Sequence, residues 1–156
     1  MPETNGVYIE FYDDEIDLVE VSDTEYFEIF EEGLTLSILA AENIPFSFEG
    51  PLEVTIGSSP YPITGGTFTI VSVAARVKEQ PTGSPDKIDI NVNDVTIYGT
   101  QANRPIIAAG TFLAAVGAHS VTTVTDGDWI TVDIDEIGSS TPGAHLVVVV
   151  RLQRIA

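Results

Sequence analysis

Apolar and polar residues alternate along several short segments in the second half of the chain, a pattern typical of strands with one buried face. In residues 69–77 the predicted inward positions are Val71, Val73, Ala75 and Val77, and the opposite face carries Ile70, Ser72, Ala74 and Arg76. Further along, a buried face is predicted for Ile130, Val132 and Ile134, opposite Thr131, Asp133 and Asp135. Both segments therefore predict strands that cover a core.

A hairpin is predicted at the dipeptide Asn93-Asp94. Before it, three apolar residues alternate with three polar ones: Ile88, Ile90 and Val92 with Asp89, Asn91 and Asn93. A two-residue turn places Val92 opposite Val95 and Ile90 opposite Ile97, which brings four apolar side chains onto one surface. Asn and Asp both tolerate the positive φ angles that a type I′ turn requires.

The last apolar segment, residues 146–152, contains four consecutive valines and does not alternate. Such a run is typical of a strand covered on both faces, and the second cover would be another layer or another subunit. Because an exposed edge of this composition would promote aggregation, we expect the fold to hide it.

Glycine and proline interrupt the chain at short intervals after residue 49. The turn positions are Gly50-Pro51, Ser59 to Pro62, Gly65-Gly66, Pro81 to Pro85, Arg104-Pro105 and Thr141 to Gly143. Short strands, frequent turns and no clear helix predict an all-β protein. We expect a jelly-roll-like antiparallel β-sandwich over residues 46–156.

Residues 1–45 are predicted to form a smaller, acidic, β-rich arm or subdomain, with short strands at residues 7–12 and 16–21. One alternative is a helix that begins at Ser22, where Glu25 completes a capping box. We favour a hairpin that turns at Glu32-Gly33, because it pairs Ile29 with Leu36 and Phe27 with Ile38.

Acidic residues dominate the chain, which has 24 Asp and Glu, 6 Lys and Arg, and a formal net charge of −18. Residues 1–75 hold 15 acidic and no basic residues, whereas residues 76–156 hold 9 acidic and 6 basic ones. Because this charge repels phosphate backbones and anionic lipids, we expect no nucleic-acid and no membrane partner. A basic partner surface, dissolved cations and plain solubility are the remaining interpretations.

With 156 residues, 44% of them hydrophobic, the chain can bury an ordinary core despite its charge. No apolar run reaches the ~20 residues that cross a bilayer, and Met1-Pro2-Glu3 does not begin a secretory signal. The absence of cysteine excludes disulfides and thiolate metal sites. We therefore expect a folded protein, neither membrane-spanning nor exported, that is stabilised by packing and association.

Candidate catalytic groups are few. His119 and His145 are the available imidazole bases, and we interpret both as surface or turn residues because neither lies in a catalytic motif. The triplets Gly57-Ser58-Ser59 and Gly138-Ser139-Ser140 lack the second glycine of a nucleophile elbow. We therefore predict no catalytic residue, no cofactor and no enzymatic activity.

Metal and carbohydrate binding are weaker alternatives. Two acidic groups supply oxygen ligands suited to calcium: Asp126, Asp128, Asp133 and Asp135, and the cluster Asp13, Asp14, Glu15 and Asp17. The first group lacks the loop glycine and terminal glutamate of the helix-loop-helix calcium motif, so we interpret both as solvated carboxylates and assign no metal site. Exposed aromatic residues for a glycan would be Trp129, Tyr61 and Tyr98.

Five short motifs follow one another between residues 81 and 146. They are Pro-Thr-Gly-Ser (81–84), Asp-Ile-Asn (89–91) before the Asn hairpin, Arg-Pro-x-Ile-x-Ala-Gly (104–110), Gly-Asp-x-x-x-Val-Asp-Ile-Asp (127–135) and Gly-Ser-x-x-Pro-Gly-x-x-Leu (138–146). In order and spacing they resemble a β-sandwich domain of the virion structural proteins of tailed bacteriophages. The resemblance covers residues 46–156, and the acidic residues 1–45 fall outside it.

This resemblance implies a non-enzymatic building block of phage particles, often in threefold assemblies. Because the chain lacks the long shaft of a fibre, we favour a capsid decoration, or cement, protein. Such a protein would be made in the host cytoplasm and bind the phage major capsid protein on the capsid exterior as a homotrimer. The alternative is a tail or fibre module that binds a host receptor or glycan.

Overall fold

The computed structural model describes residues 41–155 and, nearer the N-terminus, the backbone of Phe30–Glu31 and Leu34–Thr35. The chain divides into two compact units, Met1–Ile38 and Leu39–Ala156. Helical structure in the described part is limited to one 3-10 turn, Gln101–Asn103. No helix there is long and apolar enough to cross a membrane.

In the first unit, β1 (Phe30–Glu31) and β2 (Leu34–Thr35) form an antiparallel pair. Phe30 lies opposite Thr35 and Glu31 opposite Leu34, which is the register of the favoured hairpin. The outer pairs of that hairpin, the capping box at Ser22 and the strands predicted in residues 7–21 lie outside the described residues.

The second unit is all-β, as predicted. Its strands are β3 (Ala41–Pro51), β4 (Thr55–Pro62), β5 (Thr67–Arg76), β6 (Asp86–Val92), β7 (Val95–Thr96), β8 (Ile106–Ile107), β9 (Thr123–Thr125), β10 (Trp129–Glu136) and β11 (Ala144–Arg154). One antiparallel sheet has the order β3-β11-β5-β9, and the other has the order β4-β10-β6-β7, with β8 also paired to β6. Both sheets contribute to one hydrophobic cluster, for example through Ile70, Ile88 and Val148.

Strand β3 continues through residues 45 and 46, between which the boundary of the arm and the sandwich was predicted. Ile44 and Phe46 are both buried in the core of the second unit, and β3 pairs with β11 from Ala41 onward. Pro45 does not end the strand because β3 is an edge strand, in which one side of the backbone needs no N–H donor. Strand pairing therefore begins earlier than the proline suggests.

The predicted alternation is wrong in the first half of β5. Ile70 is buried and Val71 is 44% exposed, the reverse of the prediction. The register with β11 shifts between Arg151 and Leu152, so that Val71 is the extra residue of a β-bulge. Because a bulge adds one residue, the residues before it point to the opposite face of the sheet from the one that simple alternation predicts. The inward positions after the bulge are buried as predicted: Val73, Ala75 and Val77.

Strand β11 lies inside its sheet, between β3 and β5, so its edges are hidden as expected. Five of its side chains are buried at alternate positions: Ala144, Leu146, Val148, Val150 and Leu152. On the opposite face Val147 is 41% exposed and Val149 is half-buried. The described part of the chain therefore covers one face of this strand, where the sequence predicts cover on both.

The hairpin at Asn93-Asp94 is confirmed. Val92 lies opposite Val95, and the N–H of Ile97 donates to the carbonyl of Ile90 (2.9 Å). Asn93 and Asp94 have φ angles of 51° and 64°, the left-handed values of a type I′ turn. The shared apolar surface is smaller than predicted, because Val95 is 64% exposed at the tip of the hairpin.

Asp94→Gly should stabilise the protein by about 0.5–1 kcal/mol, because glycine adopts this left-handed φ without a steric cost from Cβ. Asp94→Ala is the control, since it removes the same carboxylate but keeps a Cβ, and it should be destabilising. Urea unfolding followed by circular dichroism measures both free energies of unfolding. Equal changes in the two variants would contradict a backbone origin of the effect.

Candidate functional site

Polar side chains cluster on the outer face of the sheet β4-β10-β6-β7. Asp89 and Asn91 of β6 and Thr131 of β10 are buried, although their neighbours along each strand fill the core on the other face. Asp89 lies directly opposite Asp133. Because opposed like charges destabilise a sheet, this face requires neutralising partners.

Arg104 supplies one of these partners. Its Nη1 donates to the carboxylate of Asp135 and lies 3.8 Å from Asp89 Oδ2, while its Nε donates to the carbonyl of Gln101 (3.1 Å). Burial raises the pKa of Asp89 above its ordinary value. The hydroxyl of Thr96, which donates to Oδ1 (2.7 Å), and the charge of Arg104 offset part of this rise. Arg104 therefore ties β6 to β10 and positions the segment that follows residue 100.

Tyr98 is fully buried near Asp89. Burial raises the pKa of Tyr98, and the negative charge of Asp89 raises it further. Among the described residues, the hydroxyls of Tyr98 and Thr131 have no hydrogen-bond partner. Tyr98 is therefore excluded as an exposed aromatic that stacks on a glycan. Trp129 and Tyr61, which are 44% and 40% exposed, remain candidates.

A second buried carboxylate, Asp86, holds the loop before β11 against the start of β6. Its Oδ1 accepts the N–H groups of Gly138 (2.9 Å) and Gly143 (3.4 Å). A Cβ on Gly143 would lie 2.1 Å from Asp86 Oδ2, so only glycine fits at this position. Burial raises the pKa of Asp86, an effect that the two N–H groups partly offset. The backbone of motif 138–146 thus binds the buried carboxylate of Asp86.

Asp128 connects two turns. Its Oδ2 accepts the N–H of Thr125 (2.7 Å), and its Oδ1 accepts the side-chain amide of Asn93 (2.7 Å). The N–H of Thr125, followed by the amide of Asn93, lowers the pKa of Asp128. Asn93 Oδ1 in turn accepts the N–H of Trp129 (3.1 Å). The hairpin tip is thereby fixed to the turn before β10.

The four aspartates considered as calcium ligands have separate partners. Asp126 accepts the N–H of Gly65 (2.9 Å), and Asp133 accepts the N–H of Gly57 (2.5 Å). The other two, Asp128 and Asp135, are held as described above. Within residues 41–155, no group of three or more His, Cys, Asp or Glu side chains is arranged to hold a metal ion. The acidic cluster at residues 13–17 lies outside the described part.

The two histidines contact backbone and surface groups. His119 Nε2 lies 3.0 Å from the carbonyl oxygen of Ile70. His145, with a φ of 55°, lies at a register shift between β3 and β11, and its Nδ1 is 3.3 Å from the nitrogen of Gly50 and 3.2 Å from Glu49 Oε2. Nδ1 accepts the N–H of Gly50 when it carries no hydrogen and donates to Glu49 when it does, so only one of these contacts forms at a time.

The outer face of the sheet β3-β11-β5-β9 is apolar at its centre and basic at its margin. Val149 lies between Pro45 and Ala74, and Val147 lies between Ser47 and Arg76. We define the cationic face by five residues on this surface: Arg76, Lys78, Val147, Val149 and Arg151. At one end, an open groove of about 270 Å³ is lined by Arg76, Val77, Lys78, Phe112, His145 and Val147.

Comparisons with known proteins add no relatives. A scan against protein-family models gave no match, and searches of curated proteins and of solved structures gave none either. The resemblance to phage structural domains therefore stays a prediction from the sequence motifs.

Sequence reasoning did not identify the roles of Asp86 and Arg104, or the cationic face. One signal was present for Arg104, which is the only Lys or Arg between Lys87 and Arg151, a stretch that contains seven Asp and Glu residues. No local signal marks Asp86, because its burial depends on a loop about 50 residues further along the chain.

The contribution of Asp86 to stability should decrease as pH rises. Because its pKa in the folded state is raised above the ordinary 3.8, the folded protein binds this proton more tightly than the unfolded chain does. Its contribution is therefore full below pH 3.8 and is lost as pH rises through the folded-state pKa.

Urea unfolding of wild type and Asp86→Asn, from below pH 3.8 to above the folded-state pKa of Asp86, checks this expectation. The free energy of unfolding of wild type minus that of the variant should fall with increasing pH. Asp94→Asn, at an exposed turn position, controls for the loss of one negative charge. A pH-independent difference for Asp86→Asn would contradict the raised pKa.

Arg104→Ala should destabilise the protein by about 1–3 kcal/mol, because it leaves the buried Asp89 without a counter-ion. Arg104→Lys should recover part of this loss because it keeps the positive charge. The recovery should be incomplete because an ammonium group lacks the several fixed donors of guanidinium. Lys87→Ala is the control, because Lys87 pairs with Glu136 at a more exposed site and its loss should cost at most about 1 kcal/mol. Urea unfolding measures all three, and equal costs for Arg104→Ala and Lys87→Ala would refute the role of Arg104.

Proposed function

We propose that this chain is a non-enzymatic bacteriophage virion structural protein, a capsid decoration protein that binds and stabilises the capsid lattice as a homotrimer. The observation that carries the proposal is the ordered motif series between Pro81 and Leu146, which resembles the phage domain. The finer architecture proposed with it is a jelly-roll-like sandwich with an acidic N-terminal arm. The two antiparallel sheets around one core are consistent with this architecture.

The roles of the motif residues support a structural function. Asp86 fixes the loop that contains Gly138 and Gly143, Arg104 joins two strands, and Asp128 joins two turns. Polar side chains in these motifs thus hold loops in one geometry. A lattice-binding protein needs this property, because every copy must present the same surface to its partner.

The uneven charge supports an acidic arm that binds a basic partner. Residues 1–38 contain 12 of the 24 acidic residues and no basic residue. Such a segment is complementary to basic groups on a capsid surface, and it would accelerate association with them. The alternative for these residues is a solvated acidic segment that maintains solubility.

Binding to capsids that lack this protein tests the proposal. The full chain should saturate such capsids, and binding should weaken gradually with salt, because charges at an interface rim are screened over a Debye length of ~10 Å at 0.1 M. The chain shortened to Leu39–Ala156 should still unfold cooperatively, because it keeps the hydrophobic cluster, but it should bind at least ~10-fold more weakly. Failure of the full chain to bind would reject decoration, whereas saturation by the shortened chain would reject only the arm.

A tail or fibre module that binds a receptor or glycan is the second candidate. The observation that favours it is the exposure of two aromatic side chains on neighbouring strands, Trp129 on β10 and Tyr61 on β4. Aromatic faces of this kind stack on sugar rings. Binding of the purified chain to host cells, without binding to capsids, would favour this candidate.

A further inference from the structure

The outer face of the sheet β3-β11-β5-β9 combines exposed apolar side chains with positive charge. Val147 is 41% exposed, and the residues beside Val149, Pro45 and Ala74, are exposed as well. The apolar surface continues past β5, where Leu113 lies opposite Arg76 and is 63% exposed. A contiguous apolar surface on the face of a sheet is typical of a binding site for another protein.

The charge of the cationic face is opposite to that of the chain. Arg76, Lys78 and Arg151 are three of the six basic residues, and none of them forms an ion pair with any other residue in the described part. At the groove end, the carboxylate of Glu49 lies beside His145 Nδ1 (3.2 Å) rather than against one of these three cations. The other three basic residues have partners: Lys87 binds Glu136, Arg104 binds Asp135 and Arg154 donates to the carbonyl of Gly65. Among the described residues, the basic side chains without an ion pair or a carbonyl partner therefore lie on this face.

We infer that the cationic face is a self-association surface, which receives an acidic surface of a second copy of this chain in a head-to-tail contact. Residues 39–156 hold 12 acidic and six basic residues, and three of the basic ones lie on the cationic face. Acidic residues are therefore in excess on the rest of this unit and are complementary to Arg76, Lys78 and Arg151. The central valines supply apolar area that such a contact removes from water. This inference specifies the interface of the proposed homotrimer and rests on that part of the proposed function.

The same charges determine the symmetry of the contact. A twofold contact of two cationic faces would place Arg76 and Arg151 of one copy against those of the other, and repulsion opposes this arrangement. A head-to-tail contact joins two different surfaces and therefore avoids the repulsion. Repeated with a suitable rotation, it closes into a ring, as a trimer requires.

Size exclusion with light scattering, over a series of concentrations, tests the interface. The wild type should give about three times 16.7 kDa. The double variant Arg76→Glu with Arg151→Glu should raise the dissociation constant at least ~100-fold, because it replaces attraction to an acidic surface by repulsion. Val147→Thr, which keeps a β-branched side chain of similar size, should weaken association about 10-fold through the loss of apolar contact.

The matched control is Lys87→Glu with Arg154→Glu, which changes the net charge by the same amount away from this face. It should associate like wild type, and melting temperatures should confirm that all variants fold. A monomeric wild type at ~100 µM would overturn the inference, as would equal association of the two double variants.

The capsid assay separates this inference from the proposed function. A wild type that associates through this face but does not bind capsids would reject decoration and keep the interface. A monomeric wild type that saturates capsids would keep decoration and reject the interface.

Discussion

The pairing of β11 with two neighbours at once is the constraint on which the rest of the second unit depends. Nine register positions join it to β3 and eight join it to β5, so its alignment determines which residues of both strands face the core. Its inward side chains, among them Leu146, Val148 and Val150, are completely buried. Asp86, which belongs to the other sheet, binds the loop that leads into β11 and thereby couples the two sheets.

The polar groups on the outer face of the second sheet contribute to specificity more than to net stability. Desolvation of Asp89 is unfavourable, and its hydrogen bonds and the charge of Arg104 offset part of that cost. A shifted register would separate Arg104 from Asp89 and Asp135 and leave buried charge without a partner. These contacts therefore favour one alignment of β6 with β10, and the same contacts connect the motifs at residues 89–91, 104–110 and 127–135 to one another.

Charge is segregated on several scales in this chain. Residues 1–75 contain acidic but no basic residues, whereas three of the six basic residues lie on one sheet face together with the exposed Val147. An acidic chain with one cationic, apolar surface has the complementary parts needed to bind its own kind in one orientation. The face proposed for self-association and the acidic segment proposed for lattice binding are then different parts of the chain.

Local patterns in the sequence determined the all-β class, the faces of β10 and the hairpin at Asn93-Asp94, because period-two alternation and left-handed turn residues act over a few positions. The bulge at Val71 and the continuation of β3 through Pro45 were decided by pairing with β11, far along the chain. Tertiary structure likewise assigned Asp86 and Arg104 their partners and left Val147 exposed. Burial and charge pairing depend on which distant segments come together, and no local pattern records that choice.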